Sequence, residues 1–168
     1  MKHLKTILLA AALCIGTVSF SQAQSKVAHI NTAELINAMP EMKAAQSELE
    51  SLGKTYQADM QASITEYQNT VKQYEAEAAT KTDEENQKRG LELQEKQQRI
   101  QQFQADAQQD MQKKEIDLLK PITEKARTAI LKVARAQGFD YVLDSSQNIV
   151  IMSDGKNLLD DVKKELGI

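Results

Sequence analysis

Between residues 41 and 137 the chain has one proline, Pro121, and only two glycines, Gly53 and Gly90. The stretch is built from Ala, Glu, Gln, Lys and Leu, the residues that give up least freedom on entering a helix. Most of this chain must therefore be helix, and the helices must be long. Over residues 42 to 78 the apolar positions are Met42, Ala45, Leu49, Leu52, Tyr56, Met60, Ile64, Tyr67, Val71, Tyr74 and Ala78. They cover 36 residues in ten steps, or 3.6 per step. A strict heptad would give about 3.5 and impose a left-handed supercoil; this spacing predicts a nearly straight amphipathic helix. Pro40 suits its first turn, and Glu41 sits at the favourable end of its dipole.

Thr80-Lys81-Thr82 breaks the pattern, and Thr82 with Glu85 forms a capping box that starts a second helix. Its apolar seam runs Leu93, Ile100, Phe103, Ala107, Met111, Leu118, Ile122, Ala126, Ile130 and Val133, and Gly138 suits its C-terminal cap. Ten glutamines between Gln87 and Gln112 make it the more polar of the two; their interleaved charges indicate a solvated face rather than a low-complexity tract. Two long helices joined by three residues must run antiparallel. With the tip near residues 80–82, facing positions sum to about 163, so that Leu52 meets Met111, Tyr56 meets Ala107 and Met60 meets Phe103. The first helix would be about 58 Å long. Pro40 and Pro121 fall together at the base of the hairpin, where Pro121 should bend its helix and act as a hinge.

The remainder is small. Lys26–Asn31 reads as a strand, Thr32–Met39 as a short helix, and Leu158, Leu159, Val162 and Leu166 as one face of a final helix. Phe139–Asp144 and Asn148–Met152 read as strands, with Ser145-Ser146-Gln147 as the turn between them. The fold class is α+β: a helical hairpin over 41–121 projecting from a β-rich body made of 24–40 and 122–168. So small a body is near the limit of what one core can stabilise, and association of several chains through their sheets is the natural remedy. The residues expected to build that body are Val27, Ile30, Phe139, Tyr141, Val142, Leu143, Ile149, Val150 and Ile151.

Residues 1–23 have a basic start (Lys2, Lys5), an apolar run from Thr6 to Phe20 and a Ser21-Gln22-Ala23 ending, as in a cleaved secretory signal. Cys14 follows Leu13, which does not suit a lipid-anchor signal. The remaining 145 residues carry 19 basic and 24 acidic groups, no cysteine and one histidine, His29. That composition excludes disulfides, thiol chemistry and thiolate metal sites, leaves little for zinc, and argues against nucleic-acid binding. His29 reads as an ordinary strand residue, on the face of Val27. Asp154, Asp160 and Asp161 do not have the spacing of a calcium loop and read as helix-start partners, with Asn157 as a cap. No nucleophile–base pair is visible, so no catalytic residue, cofactor or metal is expected.

Several stretches, in this order, resemble the Skp/OmpH family of periplasmic chaperones: Lys26–Asn31, Met39-Pro40-Glu41, the long hairpin, Leu119–Ile122, Gly138–Asp144 and Leu158–Leu166. The resemblance implies a jellyfish-like homotrimer whose helical hairpins hang as tentacles from a β-rich body. It implies an ATP-independent holdase, without an active site, that encloses unfolded outer-membrane β-barrel proteins between the tentacles. Tyr56, Met60, Tyr67, Tyr74, Phe103 and Met111 are candidate client contacts, although their helical spacing also suits residues that simply zip the hairpin. Residues 41–120 carry 11 basic and 16 acidic groups, with an acidic tip, which argues against direct membrane or lipopolysaccharide binding. The rival reading is a structural coiled-coil spacer or adaptor of the cell envelope, which would want a strict heptad and an apolar outer face.

Overall fold

The computed structural model describes residues 25–147, 150 and 154–168. Strand β1 (Val27–Ile30) leads into helix α1 (Thr32–Ala38) and then into the long helix α2 (Pro40–Glu77). A 3-10 turn (Ala78–Thr80) reverses the chain into α3 (Asp83–Ala136), which is followed by β2 (Tyr141–Asp144), β3 (Lys156–Asn157) and α4 (Leu159–Leu166). The 38 residues of α2 and 54 residues of α3 form the antiparallel hairpin.

Each boundary has a local cause. Asn31 caps α1 by accepting from the Glu34 amide at 3.0 Å. Pro40 occupies the first turn of α2, where its missing N–H costs nothing. Thr82 Oγ1 accepts from the Glu85 amide at 3.2 Å, and three acids follow in the first turn of α3. At the far end Gly138 takes φ +71°, and the Phe139 amide closes back on Ala134 O at 3.0 Å. Helix α3 runs without interruption through Pro121. The Thr123 hydroxyl donates there to Leu119 O at 3.1 Å and Lys120 O at 2.8 Å.

The sheet has the order β2-β1-β3, with both pairings parallel. Val27 pairs with Tyr141 and Ile30 with Asp144; on the other side Ala28 pairs with Lys156 and His29 with Asn157. Parallel neighbours need a long crossover, and here the crossover from β1 to β2 contains the whole hairpin. The two ends of that excursion are pinned together. The Thr32 hydroxyl donates to Asp144 Oδ2 at 2.7 Å, and the Lys26 amide donates to Asp140 Oδ2 at 2.8 Å. Burial at Asp144 works against its charge, but hydrogen bonds from Thr32 and Ser146 outweigh it and hold the carboxyl below the usual range.

The expected strand pair 139–144 and 148–152 differs from this arrangement. Strand β2 bonds to β1, and the strand on β1's other side is Lys156–Asn157, which shows no apolar alternation. Val150 is not in a strand; Ile149, Ile151 and the rest of 148–152 lie outside the described residues, as do residues 1–23.

The core lies between the sheet, α1, α4 and the base of α3. Ile30, Leu35, Met39, Leu158 and Val162 are almost wholly buried, with Ala28, Ile122, Ala126 and Val133 around them. Above Ala45 and Ile122 the hairpin contributes no buried residue, only half-buried ones. A two-helix rod cannot enclose a core, since each helix meets a neighbour on one stripe only.

Candidate functional site

Of the six candidate residues, the hairpin seam brings Tyr56 and Phe103 into contact and holds Tyr74 against α3 nearer the tip. Tyr56 packs edge-to-face on Phe103, with ring centroids 6.0 Å apart, and its hydroxyl donates to Asp110 Oδ2 at 2.5 Å. Phe103 and Asp110 lie on either side of Ala107, the residue placed opposite Tyr56 by the sequence register. Tyr74 donates to Glu92 Oε2 at 2.6 Å and carries the Arg89 guanidinium 4.5 Å above its ring. Met60, Tyr67 and Met111 are half-buried in the same seam. Tyr56, Phe103 and Tyr74 are thus engaged within the hairpin, and all six keep part of their surface exposed.

Ion pairs cross the same seam with one polarity. The acids are on α2 and the bases on α3: Glu41–Lys125, Glu48–Lys114 at 2.7 Å, Glu66–Lys96 at 2.5 Å and Glu77–Arg89 at 2.6 Å. Along α2 these acids are separated by 7, 18 and 11 residues, close to whole numbers of turns, so they form one stripe. Hydrogen bonding to the Lys96 ammonium holds the Glu66 carboxyl below its usual range, and Lys125 does the same for Glu41. Glu77 is lowered by its hydrogen bonds from Gln73 and Arg89. Lys114 is raised by Glu48, while Tyr56 and Tyr74 are raised by their hydrogen bonds to Asp110 and Glu92.

The body residues divide between the two faces of the sheet. Ile30 is buried in this chain's own core, and Phe139 and Val142 pack against it. Val27, Tyr141 and Leu143 are exposed, at 42%, 61% and 46%, on the opposite face, with His29 half-buried beside them. His29 Nδ1 is buried and has no hydrogen-bond partner among the described residues. The sequence reading named these residues together because alternation does not say which face is covered by the chain itself. It also missed Leu91 and Ile116, which are 56% and 64% exposed on α3. They are 25 residues apart, about seven turns, and lie opposite the seam.

Among the described residues no group of three or more His, Cys, Asp or Glu could hold a metal ion, and no helix is long and apolar enough to cross a membrane.

A small parallel-sheet body that extends one long helical hairpin is a whole-chain architecture, and comparison with known proteins finds it as such. The model of the family "Outer membrane protein (OmpH-like)" matches residues 26–166, and this chain belongs to that family. The chain is 25% identical over 166 residues to the chaperone protein Skp of Photorhabdus laumondii, covering 97% of this chain and 99% of that protein. It is 24% identical over 163 residues to the chaperone protein Skp of Salmonella typhimurium, with the same coverage. The OmpH-like crystal structure from Caulobacter crescentus CB15 shares the fold, with a TM-score of 0.76 at 19% identity over 87% of each chain. The family is one of chaperones, not of enzymes.

Proposed function

We propose that this chain is an ATP-independent periplasmic holdase. It assembles as a homotrimer through the open sheet face and holds unfolded outer-membrane β-barrel proteins between its hairpins until they are delivered to the membrane. The observation that carries this reading is the family match, which runs through body and hairpin alike.

The chemistry of the surfaces supports it. Val27, Tyr141 and Leu143 present an apolar sheet face that a lone body leaves in water. Copies joined on that face would bury it and set several hairpins around one space. An exported barrel chain exposes alternating apolar residues and unpaired backbone, both of which drive aggregation. Half-buried seam residues such as Met60, Tyr67 and Met111 offer weak, adaptable contacts. Many such contacts on tethered arms sum to useful retention without nucleotide-driven release. Pro40 and Pro121 stand at the root of the arm, where a hinge would let it open around clients of different size. The signal-like residues 1–23 support export of the chain, and the net acidity of the arm argues against direct anchoring on anionic lipid.

The test is to dilute a urea-unfolded barrel protein into buffer with and without the purified protein and follow turbidity. Suppression at a threefold excess of protomer is expected. Unchanged aggregation would rule the reading out.

A further inference from the structure

The two edges of the hairpin differ. Below the tip, every side-chain bond between α2 and α3 among the described residues lies on one edge: the four ion pairs, Tyr56–Asp110 and Tyr74–Glu92. Each α3 cation is followed by a residue turned about 100° further round the helix, toward the other edge. After Arg89 and Lys96 these are Gly90 and Gln97, Gln104 and Gln108 continue the stripe at steps of seven and four, and Glu115, which follows Lys114, ends its uncharged run. Ala126, about five turns beyond Gln108, is buried against the body. The stripe that is covered at the base by this chain's own core is therefore exposed and uncharged along the arm from Gly90 to Gln108. Its α2 side is uncharged from Gln57 to Gln68, with Glu50 and Glu75 beyond that span at either end. Met60 and Ile64 are half-buried, and Gly53 sits with the Met111 side chain 3.9 Å from where a Cβ would be.

Gly90 is not explained by packing within the chain. It lies mid-helix, where glycine costs roughly 1 kcal/mol relative to alanine. A Cβ added to it would meet nothing within 4 Å. A residue without a side chain at this place suits close approach by something outside the chain.

Resting on the holdase reading, we infer that this uncharged edge is the surface that takes the client, and that its occupant is an extended, unpaired apolar segment with basic residues at its flanks. The glutamine amides of Gln97, Gln104 and Gln108 both donate and accept, so they match the unpaired N–H and C=O groups of an extended chain. The half-buried apolar side chains beside them match its alternate side chains. The net charge of −5 over residues 41–120 favours basic flanks. The seam aromatics on the opposite edge, Tyr56 and Tyr74, then serve the hairpin itself.

The experiment uses photo-crosslinking on the protein without residues 1–23, which has no thiol of its own. Gln104→Cys on the bare edge and Gln98→Cys on the outer face of α3 are each labelled with benzophenone. Each is mixed with a tagged peptide of alternating Val and Thr flanked by lysines. Crosslinking at residue 104 is expected to exceed that at 98 by about tenfold, corresponding to about 1.4 kcal/mol. Gly90→Leu, with helical circular dichroism unchanged, is expected to weaken peptide binding about as much. Equal yields at the two positions would overturn the inference. So would transfer from 104 to a second copy of the chain without peptide, or unchanged affinity of Gly90→Leu. If the unmodified protein still suppresses turbidity in any of those cases, the chaperone reading stands and only this surface falls.

Discussion

Single residues in this molecule are easy to rank by what surrounds them. Leu35 is wholly buried beneath α3 and α4 in a body with few alternatives. Leu35→Ala should cost about 2–5 kcal/mol, enough to unfold the body before the hairpin. Two-wavelength thermal melts would check the order, and a single unshifted transition would contradict it. Tyr56→Phe removes only the bond to Asp110 and keeps the stacking on Phe103, so the melting temperature should fall by no more than a few degrees. Phe103→Ala should cost more, because the ring contact is lost as well. Such contacts were partly legible in the sequence. The seam residues declared themselves by their spacing, and that fixed which turn of α3 faces Tyr56. The Tyr–carboxylate bonds did not, since any of several acids stood within one turn of each tyrosine.

At the scale of elements, helix ends and register followed from short-range chemistry. Thr82 with Glu85, and Gly138, act where they were expected to, while the Asn31 cap on Glu34 was not singled out in the sequence. The sheet was much less legible. Parallel pairing of β1 with β2 is made across the whole hairpin, and no local signal distinguishes it from pairing with the next apolar run. Strand β3 consists of Lys156 and Asn157, whose ladder bonds come from position rather than from strand propensity.

The ion-pair stripe gives the hairpin a pH dependence. Glu41, Glu66 and Glu77 are lowered from 4.5, so their contribution is complete above that pH and is lost as the pH falls through their folded-state values. Tyr56 and Tyr74 are raised from 10.0, so theirs is complete below that pH and lost as it rises through their folded-state values. The melting temperature of the helical signal should therefore fall at both extremes, and fall at neutral pH in about 1 M salt, which screens exposed pairs. A flat profile would mean that the rungs contribute nothing. Reversing one rung, Glu66→Lys with Lys96→Glu, should restore what either single change removes, as a double-mutant cycle would show. Pro121→Ala should stiffen the root of the arm, narrowing the range of lengths seen by small-angle scattering; an identical scattering curve would argue against a hinge there.

The whole molecule is a small anchored body with a disproportionate arm, and that disproportion is what the sequence told most plainly. A body of this size gains from sharing its open face. Tyr141→Asp, placed on that face and away from the core, should leave the protomer folded and reduce the proposed trimer to single chains. An unchanged mass would place the contact elsewhere. All of this converges on one claim, that several arms act together on one client. Native mass spectrometry of the protein mixed with a urea-diluted barrel protein tests it most directly. The expected result is a complex of three protomers with one client, lost in the Tyr141→Asp variant. A client held by a single protomer, or no complex at all under conditions where the client stays soluble, would contradict it.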